Sequence, residues 1–123
     1  MFNGCNYIGF RASAKSNKKI KVFSISLQEY LHEEFTVAIT EELELAMEKA
    51  NLAFEVYKKI FVAQRADFLE AISEEITNIG DLLIRWAALE TGLPEERLTG
   101  ERTKTVNQLK LFASVLDSKF IFL

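Results

Sequence analysis

The pattern of apolar and polar residues divides the chain into an N-terminal part with strand-like segments and a longer helical part. Residues 6–12 and 20–26 are short and enriched in β-branched and aromatic residues, and the polar residues 13–19 lie between them. This arrangement predicts a β-hairpin over residues 6–26. Residues 28–35 show no clear period, and we assign them to a loop or a short extended piece.

From Thr40 onward apolar residues recur every three or four positions, which predicts helices over residues 40–116. The first predicted helix begins at Thr40 and ends with Lys58 and Lys59. The second is interrupted at Gly80, and Asp81 then caps a third helix. The residues expected to face inward are Leu43, Ala46, Met47, Ala50, Phe54 and Tyr57 in the first helix and Val62, Ala66, Leu69, Ile72, Ile76 and Ile79 in the second.

The third predicted helix ends at the corner Thr91-Gly92-Leu93-Pro94, where glycine permits a left-handed cap and proline fixes the next entry. A fourth helix is predicted from about Gly100 to Leu116. Inward positions are Leu82, Leu83, Trp86 and Leu89 in the third helix and Val106, Leu109, Phe112, Ala113 and Leu116 in the fourth. The predicted fold class is therefore mainly α with an N-terminal β-hairpin, in a single domain over residues 1–123.

Composition narrows the function classes without selecting one. The 123 residues are 49% hydrophobic and 27% charged, with one cysteine, so an internal disulfide is excluded. No apolar run approaches the roughly 18 residues of a membrane span, and residues 1–10 lack the features of a signal peptide. We expect a cytoplasmic protein that binds neither membrane nor nucleic acid. The first 22 residues contain five basic residues and no acidic one: Arg11, Lys15, Lys18, Lys19 and Lys21. A solvent-exposed hairpin explains these charges better than a binding site for RNA or lipid phosphate does.

A search for catalytic chemistry gives no assigned site. Cys5 and His32 are the only cysteine and histidine, and neither a zinc motif nor a glycine-rich phosphate loop occurs. Adjacent carboxylates on a helix point about 100° apart, so the glutamate pairs are expected on solvated surface. Those pairs are Glu33-Glu34, Glu41-Glu42, Glu74-Glu75 and Glu95-Glu96. The aromatic residues near the basic groups, Tyr7, Phe10 and Phe23, are expected in the hairpin core rather than in a base-stacking surface.

Three segments in order resemble the N-terminal region of aldehyde dehydrogenases. They are residues 50–57 (Ala-Asn-Leu-Ala-Phe-Glu-Val-Tyr), residues 65–72 (Arg-Ala-Asp-Phe-Leu-Glu-Ala-Ile) and residues 90–94 (Glu-Thr-Gly-Leu-Pro). A narrower branch of the family, the 2-oxoglutarate semialdehyde (2,5-dioxopentanoate) dehydrogenases, is similar over three stretches. These are residues 87–98, Gly100-Glu101-Arg102 and Thr105-Val106-Asn107-Gln108-Leu109. The resemblance covers residues 6–113, which is most of the chain.

The resemblance implies a section of an α/β fold and NAD(P)-dependent oxidation of an aldehyde to a carboxylic acid. In that family a thiolate attacks the aldehyde, hydride passes to NAD or NADP, and the thioester is hydrolysed. The family's catalytic cysteine, general-base glutamate, oxyanion-hole asparagine and cofactor turn lie downstream of the matched region. No catalytic, cofactor-binding or metal residue is therefore assigned, and we expect this chain alone to be inactive. Lys104 or Arg102 is a candidate for the substrate entrance, although a plain surface cation is the commoner role.

Two departures from the family pattern affect helix starts. Phe61 stands where relatives place Ser or Thr, which removes an N-cap oxygen, and Ile39-Thr40 replaces a small polar entry. The first strand also has Gly9-Phe10-Arg11-Ala12 in place of a Gly-x-Trp pattern. These features suit a truncated aldehyde dehydrogenase whose partner is the missing catalytic part or a homo-oligomer. The alternative is an independent, non-catalytic helical interaction module, which would hide its apolar helix faces in its own core.

Overall fold

A computed structural model describes residues 3–118, and secondary structure accounts for most of this range. The strands are β1 (Asn6–Ile8), β2 (Arg11–Ser13), β3 (Lys19–Ser24) and β4 (Glu29–Thr36), and the helices are α1 (Thr40–Tyr57), α2 (Val62–Ile79), α3 (Asp81–Thr91) and α4 (Glu95–Asp117). The chain divides between Lys59 and Ile60 into an N-terminal unit, β1–β4 with α1, and a C-terminal unit, α2–α4. The predicted fold class, mainly α with an N-terminal β part, is confirmed.

The strands form two hairpins, so the prediction of one hairpin over residues 6–26 is wrong. β1 pairs antiparallel with β2, and β3 pairs antiparallel with β4. Gly9 and Phe10 have φ angles of 53° and 68°, which is the left-handed pair that a tight two-residue hairpin turn requires. The chain therefore reverses inside the first segment, before it reaches the polar residues 13–19. Most of residues 28–35, which we assign to a loop or a short extended piece, lie in β4 (Glu29–Thr36).

The aromatic residues of the hairpins lie on their surface rather than in a core. Tyr7, Phe10 and Phe23 are exposed, so their predicted core position is wrong. The ring of Phe23 meets that of Tyr30 edge to face, with 5.2 Å between the ring centres. A two-stranded hairpin has no second layer to cover both of its faces, and a single hairpin is for that reason only marginally stable.

The starts of the first two helices and the end of the second follow the sequence prediction, but α1 ends at Tyr57, before the two lysines predicted to close it. α1 begins at Thr40 and α2 ends before Gly80. Their N-caps, Ile39 and Phe61, make no side-chain capping bond, as the departures from the family pattern predicted. At α2 the side chain of Gln64 compensates in part, because its Oε1 accepts the Phe61 backbone N–H at 3.1 Å.

The corner between the last two helices also follows the prediction, but α4 is longer than expected. Gly92 ends α3 in the left-handed region, with φ 71° and ψ 9°. Pro94 is the N-cap of α4, which begins at Glu95 rather than at Gly100. Glutamates suit the positive end of a helix dipole, and Gly100 is tolerated inside the helix. The prediction of a start at Gly100 is therefore wrong by five residues.

Helices α2 and α4 pack against each other through small side chains. Ala66, Ser73 and Ala113 are almost completely buried, and small residues at a helix contact allow the two axes to approach closely. Ile84 of α3 is also buried, whereas Phe112, which we expected inward, is exposed. None of the helices within residues 3–118 has the combined length and apolarity that crossing a membrane requires.

Candidate functional site

Cys5 and His32, the two residues with the chemistry of a nucleophile and a base, show no catalytic arrangement. Cys5 precedes β1 and is half-buried, and its Sγ lies 3.5 Å from the Asn3 carbonyl oxygen. His32 is an exposed residue of β4. Within residues 3–118 no three His, Cys, Asp or Glu side chains are grouped as metal ligands.

The buried charged group of the N-terminal unit is Glu42, in the first turn of α1. Its side chain is 1% exposed, so the expectation that the glutamate pairs lie on solvated surface is wrong at this position. Oε1 accepts a hydrogen bond from the Ser13 hydroxyl at the end of β2. Oε2 accepts the backbone N–H of Ile39 at 3.1 Å. One carboxylate thus joins the first hairpin to the start of α1.

The surroundings of Glu42 stabilise its ionised form. Hydrogen bonds from the Ser13 hydroxyl, which has the larger effect, and from the Ile39 N–H hold the pKa of the Glu42 carboxyl below its ordinary value. Burial acts in the opposite direction and raises this pKa. The backbone and the ammonium of Lys15 lower it further. A carboxylate that is ionised at neutral pH, with both oxygens already bonded, is suited to holding structure rather than to transferring protons.

The other glutamate pairs agree better with the prediction. Glu74-Glu75 and Glu95-Glu96 are exposed, and so is Glu34, which pairs with Lys21 at 3.1 Å. Glu33 is half-buried. In the two helical pairs the carboxylates diverge by about 100° around the helix axis. Glu33 and Glu34 are neighbours in β4 and point to opposite faces of the strand.

The C-terminal unit contains a cavity of about 260 Å³ beside Arg102. Its walls combine apolar side chains of α2 and α3, such as Ile76 and Ile84, with Glu101 and Arg102 of α4. The Arg102 Nη1 donates to the Gly80 carbonyl oxygen at 2.8 Å, so this guanidinium satisfies a carbonyl at the end of α2. Lys104 and Arg102 are the two candidates for a substrate entrance. Of these, Arg102 is engaged in a hydrogen bond that holds the structure together.

A second depression, which we call the α4 groove, runs along one side of the last helix. It has a volume of about 350 Å³ and is lined by Lys104, Thr105, Gln108, Leu109 and Phe112. Lys104 is exposed, and no ion pair of its ammonium is found within residues 3–118. The groove therefore presents a cation, an amide and an aromatic ring together.

The apolar side of α1 is exposed, although its spacing predicted an inward face. Leu43, Met47 and Phe54 are 58%, 66% and 57% exposed. These three residues, spaced at helical intervals along one side of the helix, are called the α1 stripe below. Full burial of a side chain of this size contributes roughly 1.5–3 kcal/mol, and the chain forgoes a large part of that stabilisation at each position. An uncovered stripe of this kind favours aggregation or partner binding.

The described residues do not fit a dinucleotide site. Their strands pair only as antiparallel hairpins, whereas a dinucleotide binds where a parallel strand leads through a glycine-rich turn into a helix. The first turns of α1, α3 and α4 are also unsuitable for phosphate, because acidic residues occupy them. No step of a cofactor reaction is therefore derived from these residues.

A model of the aldehyde dehydrogenase family matches residues 10–119. Since the match extends over most of the sequence, the chain belongs to the aldehyde dehydrogenase family, and the resemblance seen in the three sequence segments is confirmed.

Three relatives are similar to two thirds or more of the chain. The chain is 46% identical over 116 residues to alpha-ketoglutaric semialdehyde dehydrogenase 2 of Azospirillum brasilense, covering 93% of this chain and 22% of that protein. It is 44% identical over 82 residues to alpha-ketoglutaric semialdehyde dehydrogenase of Acinetobacter baylyi, covering 67% of this chain and 16% of the relative. A third relative, succinate-semialdehyde dehydrogenase (NADP(+)) 2 of Schizosaccharomyces pombe, is 31% identical over 102 residues, covering 83% of this chain and 20% of that protein. The chain thus spans about a fifth of the length of these relatives.

Proposed function

We propose that this chain is the N-terminal section of an NAD(P)-dependent aldehyde dehydrogenase that oxidises a semialdehyde, such as 2-oxoglutarate semialdehyde, to a dicarboxylic acid. Two relatives are named for alpha-ketoglutaric semialdehyde and one for succinate semialdehyde. The 123 residues alone are inactive in this proposal, because the described ones supply neither a paired nucleophile nor a cofactor site. A cytoplasmic location, expected from the single cysteine, and a single partial domain are part of the same proposal.

The observation that carries the first part of the proposal, that the chain is a section of a larger protein, is the exposed α1 stripe. An independent module would bury such a stripe in its own core, whereas a section of a larger fold leaves it for the rest of that fold to cover. The expected partner is therefore the catalytic part of an aldehyde dehydrogenase. A homo-oligomer that covers the stripe is the other possibility, and size-exclusion chromatography of the isolated chain distinguishes the two.

The proposal is tested by complementation with the Azospirillum brasilense relative. The segment of that enzyme that matches this chain is deleted, and the 123-residue chain is supplied either separately or fused in its place. We expect no reduction of NAD or NADP with either part alone and reduction when the two are combined. Turnover by the isolated chain would contradict the inactivity, and an inactive fusion that is folded would contradict the proposed function.

A matched pair of variants tests the α1 stripe itself. Met47→Glu introduces a charge into the stripe and should abolish complementation by the separate chain. Glu48→Gln changes the charge at the neighbouring exposed position and should leave complementation unchanged. If the two parts form a complex without any turnover, the non-catalytic interaction module is the better description.

A further inference from the structure

The turn of the first hairpin holds a bulky aromatic side chain in solvent, on a backbone conformation that is unfavourable for it. Phe10 has φ 68° and is fully exposed, so no neighbour within residues 3–118 covers its ring. Such backbone outliers are found where function requires them. We propose that Phe10 is an anchor that inserts into an apolar pocket, bordered by carboxylates, on the catalytic part of the same enzyme. This inference rests on the proposed function, which supplies that partner.

The hairpin is fixed to α1 at both of its ends, and this keeps the Phe10 ring in one place. At the turn the Lys49 side chain packs so closely on Gly9 that a Cβ there would lie 2.8 Å from Lys49 Cδ. At the other end the Ser13 hydroxyl donates a hydrogen bond to Glu42 of α1. A group that is positioned before binding loses less conformational entropy when it binds. The fold therefore presents the ring as a preformed anchor.

The charges around the turn indicate the kind of pocket that the ring fits. Arg11 follows Phe10, is exposed and forms no ion pair within residues 3–118. The Lys49 Nζ also lies beside the turn, 3.0 Å from the place of a Cβ at Gly9. Two cations beside an aromatic ring favour apolar walls with carboxylates at the rim, because cations there would repel the turn. Aromatic residues and arginine are also the residue types that most often dominate binding energy at an interface.

The test measures binding of the 123-residue chain to the Azospirillum brasilense relative from which the matching segment is deleted, by isothermal titration calorimetry. Phe10→Asn should weaken this binding roughly thirtyfold, the loss expected when a dominant interface residue is removed. Tyr7→Asn is the matched control, because Tyr7 is an exposed aromatic residue of the same hairpin without a positive φ. It should weaken binding by less than about threefold. Arg11→Gln should weaken binding about threefold and reduce its dependence on salt.

The stability of the isolated chain distinguishes an anchor from a residue that only supports the fold. Asparagine tolerates the left-handed region better than phenylalanine does, so Phe10→Asn should slow amide hydrogen exchange in β1, β2 and α1 roughly threefold. The same substitution would then stabilise the fold and weaken binding, whereas loss of a supporting residue would weaken both. Faster exchange in Phe10→Asn, or equal losses of binding in Phe10→Asn and Tyr7→Asn, would overturn the proposed anchor.

The fusion with the Azospirillum brasilense remainder keeps failure of the anchor distinct from failure of the proposed function. An active fusion, together with unchanged binding by Phe10→Asn, would refute the anchor alone. A folded but inactive fusion and no binding by the unsubstituted chain would refute both. Self-association of the isolated chain that Phe10→Asn abolishes would show that a second copy receives the ring, and would overturn its assignment to the catalytic part.

Discussion

Replacing Gly80 by alanine tests the backbone of the turn between α2 and α3. Gly80 has φ 66° and ψ −144°, a region that is essentially restricted to glycine, and an L-residue held there costs about 1–3 kcal/mol. An added Cβ would lie 3.8 Å from the Asn78 carbonyl oxygen, which is ordinary contact, so the cost is one of backbone conformation. If the backbone shifts to relieve it, the bond from Arg102 to the Gly80 oxygen is weakened as well.

Gly100 provides the control, because it lies inside α4 with nothing within 4 Å of an added Cβ. Alanine there should stabilise the C-terminal unit by about 0.5–1 kcal/mol. The free energies of unfolding of the two variants should therefore differ by roughly 1.5–4 kcal/mol. Urea unfolding followed by the fluorescence of Trp86, the single tryptophan and a residue of α3, measures this difference. If Gly80→Ala is as stable as Gly100→Ala, the inferred strain at this turn is refuted.

Three further changes have outcomes that urea unfolding can check. Phe61→Ser should stabilise α2 by about 0.5–2 kcal/mol, because serine supplies the absent N-cap oxygen. An unchanged free energy of unfolding would contradict the importance of this cap. Ala113→Leu should cost about 1–3 kcal/mol by overfilling the contact with α2, whereas Ser114→Leu at the exposed neighbour should stay within about 0.5 kcal/mol. Because the folded-state pKa of Glu42 is lowered from its ordinary value of 4.5, its stabilisation is present above that value and is lost as pH falls through the folded-state pKa. Glu42→Gln should therefore reduce the loss of stability on acidification, and an unchanged acid response would show that Glu42 is not linked to folding.

The existence of the helices could be predicted from the sequence, because local signals mark them. The three- and four-residue spacing marks α1 and α2, and Gly80 and Gly92 lie at turns whose positive φ angles favour glycine. The start of α4 was missed because Gly100 was interpreted as a boundary. Its cost inside a helix, about 1 kcal/mol, is small compared with the packing of a 23-residue helix against α2.

The N-terminal part was harder to predict, because its pairing depends on positions that carry no strong turn signal. Phe10 occupies a left-handed position at which a bulky residue is uncommon, so the reversal at Gly9-Phe10 was overlooked and the two segments were paired with each other. Glu42 was missed for a related reason. A glutamate at the third position of a helix indicates a capping box when Ser or Thr precedes it, and here the N-cap is Ile39.

Periodicity establishes which face of a helix is apolar, but it does not establish what covers that face. The same three- and four-residue spacing marks the faces of α2 and α4, which are buried against each other at Ala66 and Ala113, and the α1 stripe, which is exposed. Local sequence cannot distinguish these two outcomes, because burial of a stripe depends on chain segments far away in sequence. In a chain that spans about a fifth of its relatives' length, we expect further protein to cover the exposed stripe. That is why complementation with and without a charge at Met47 tests the family function more directly than a search for catalytic residues among these 123.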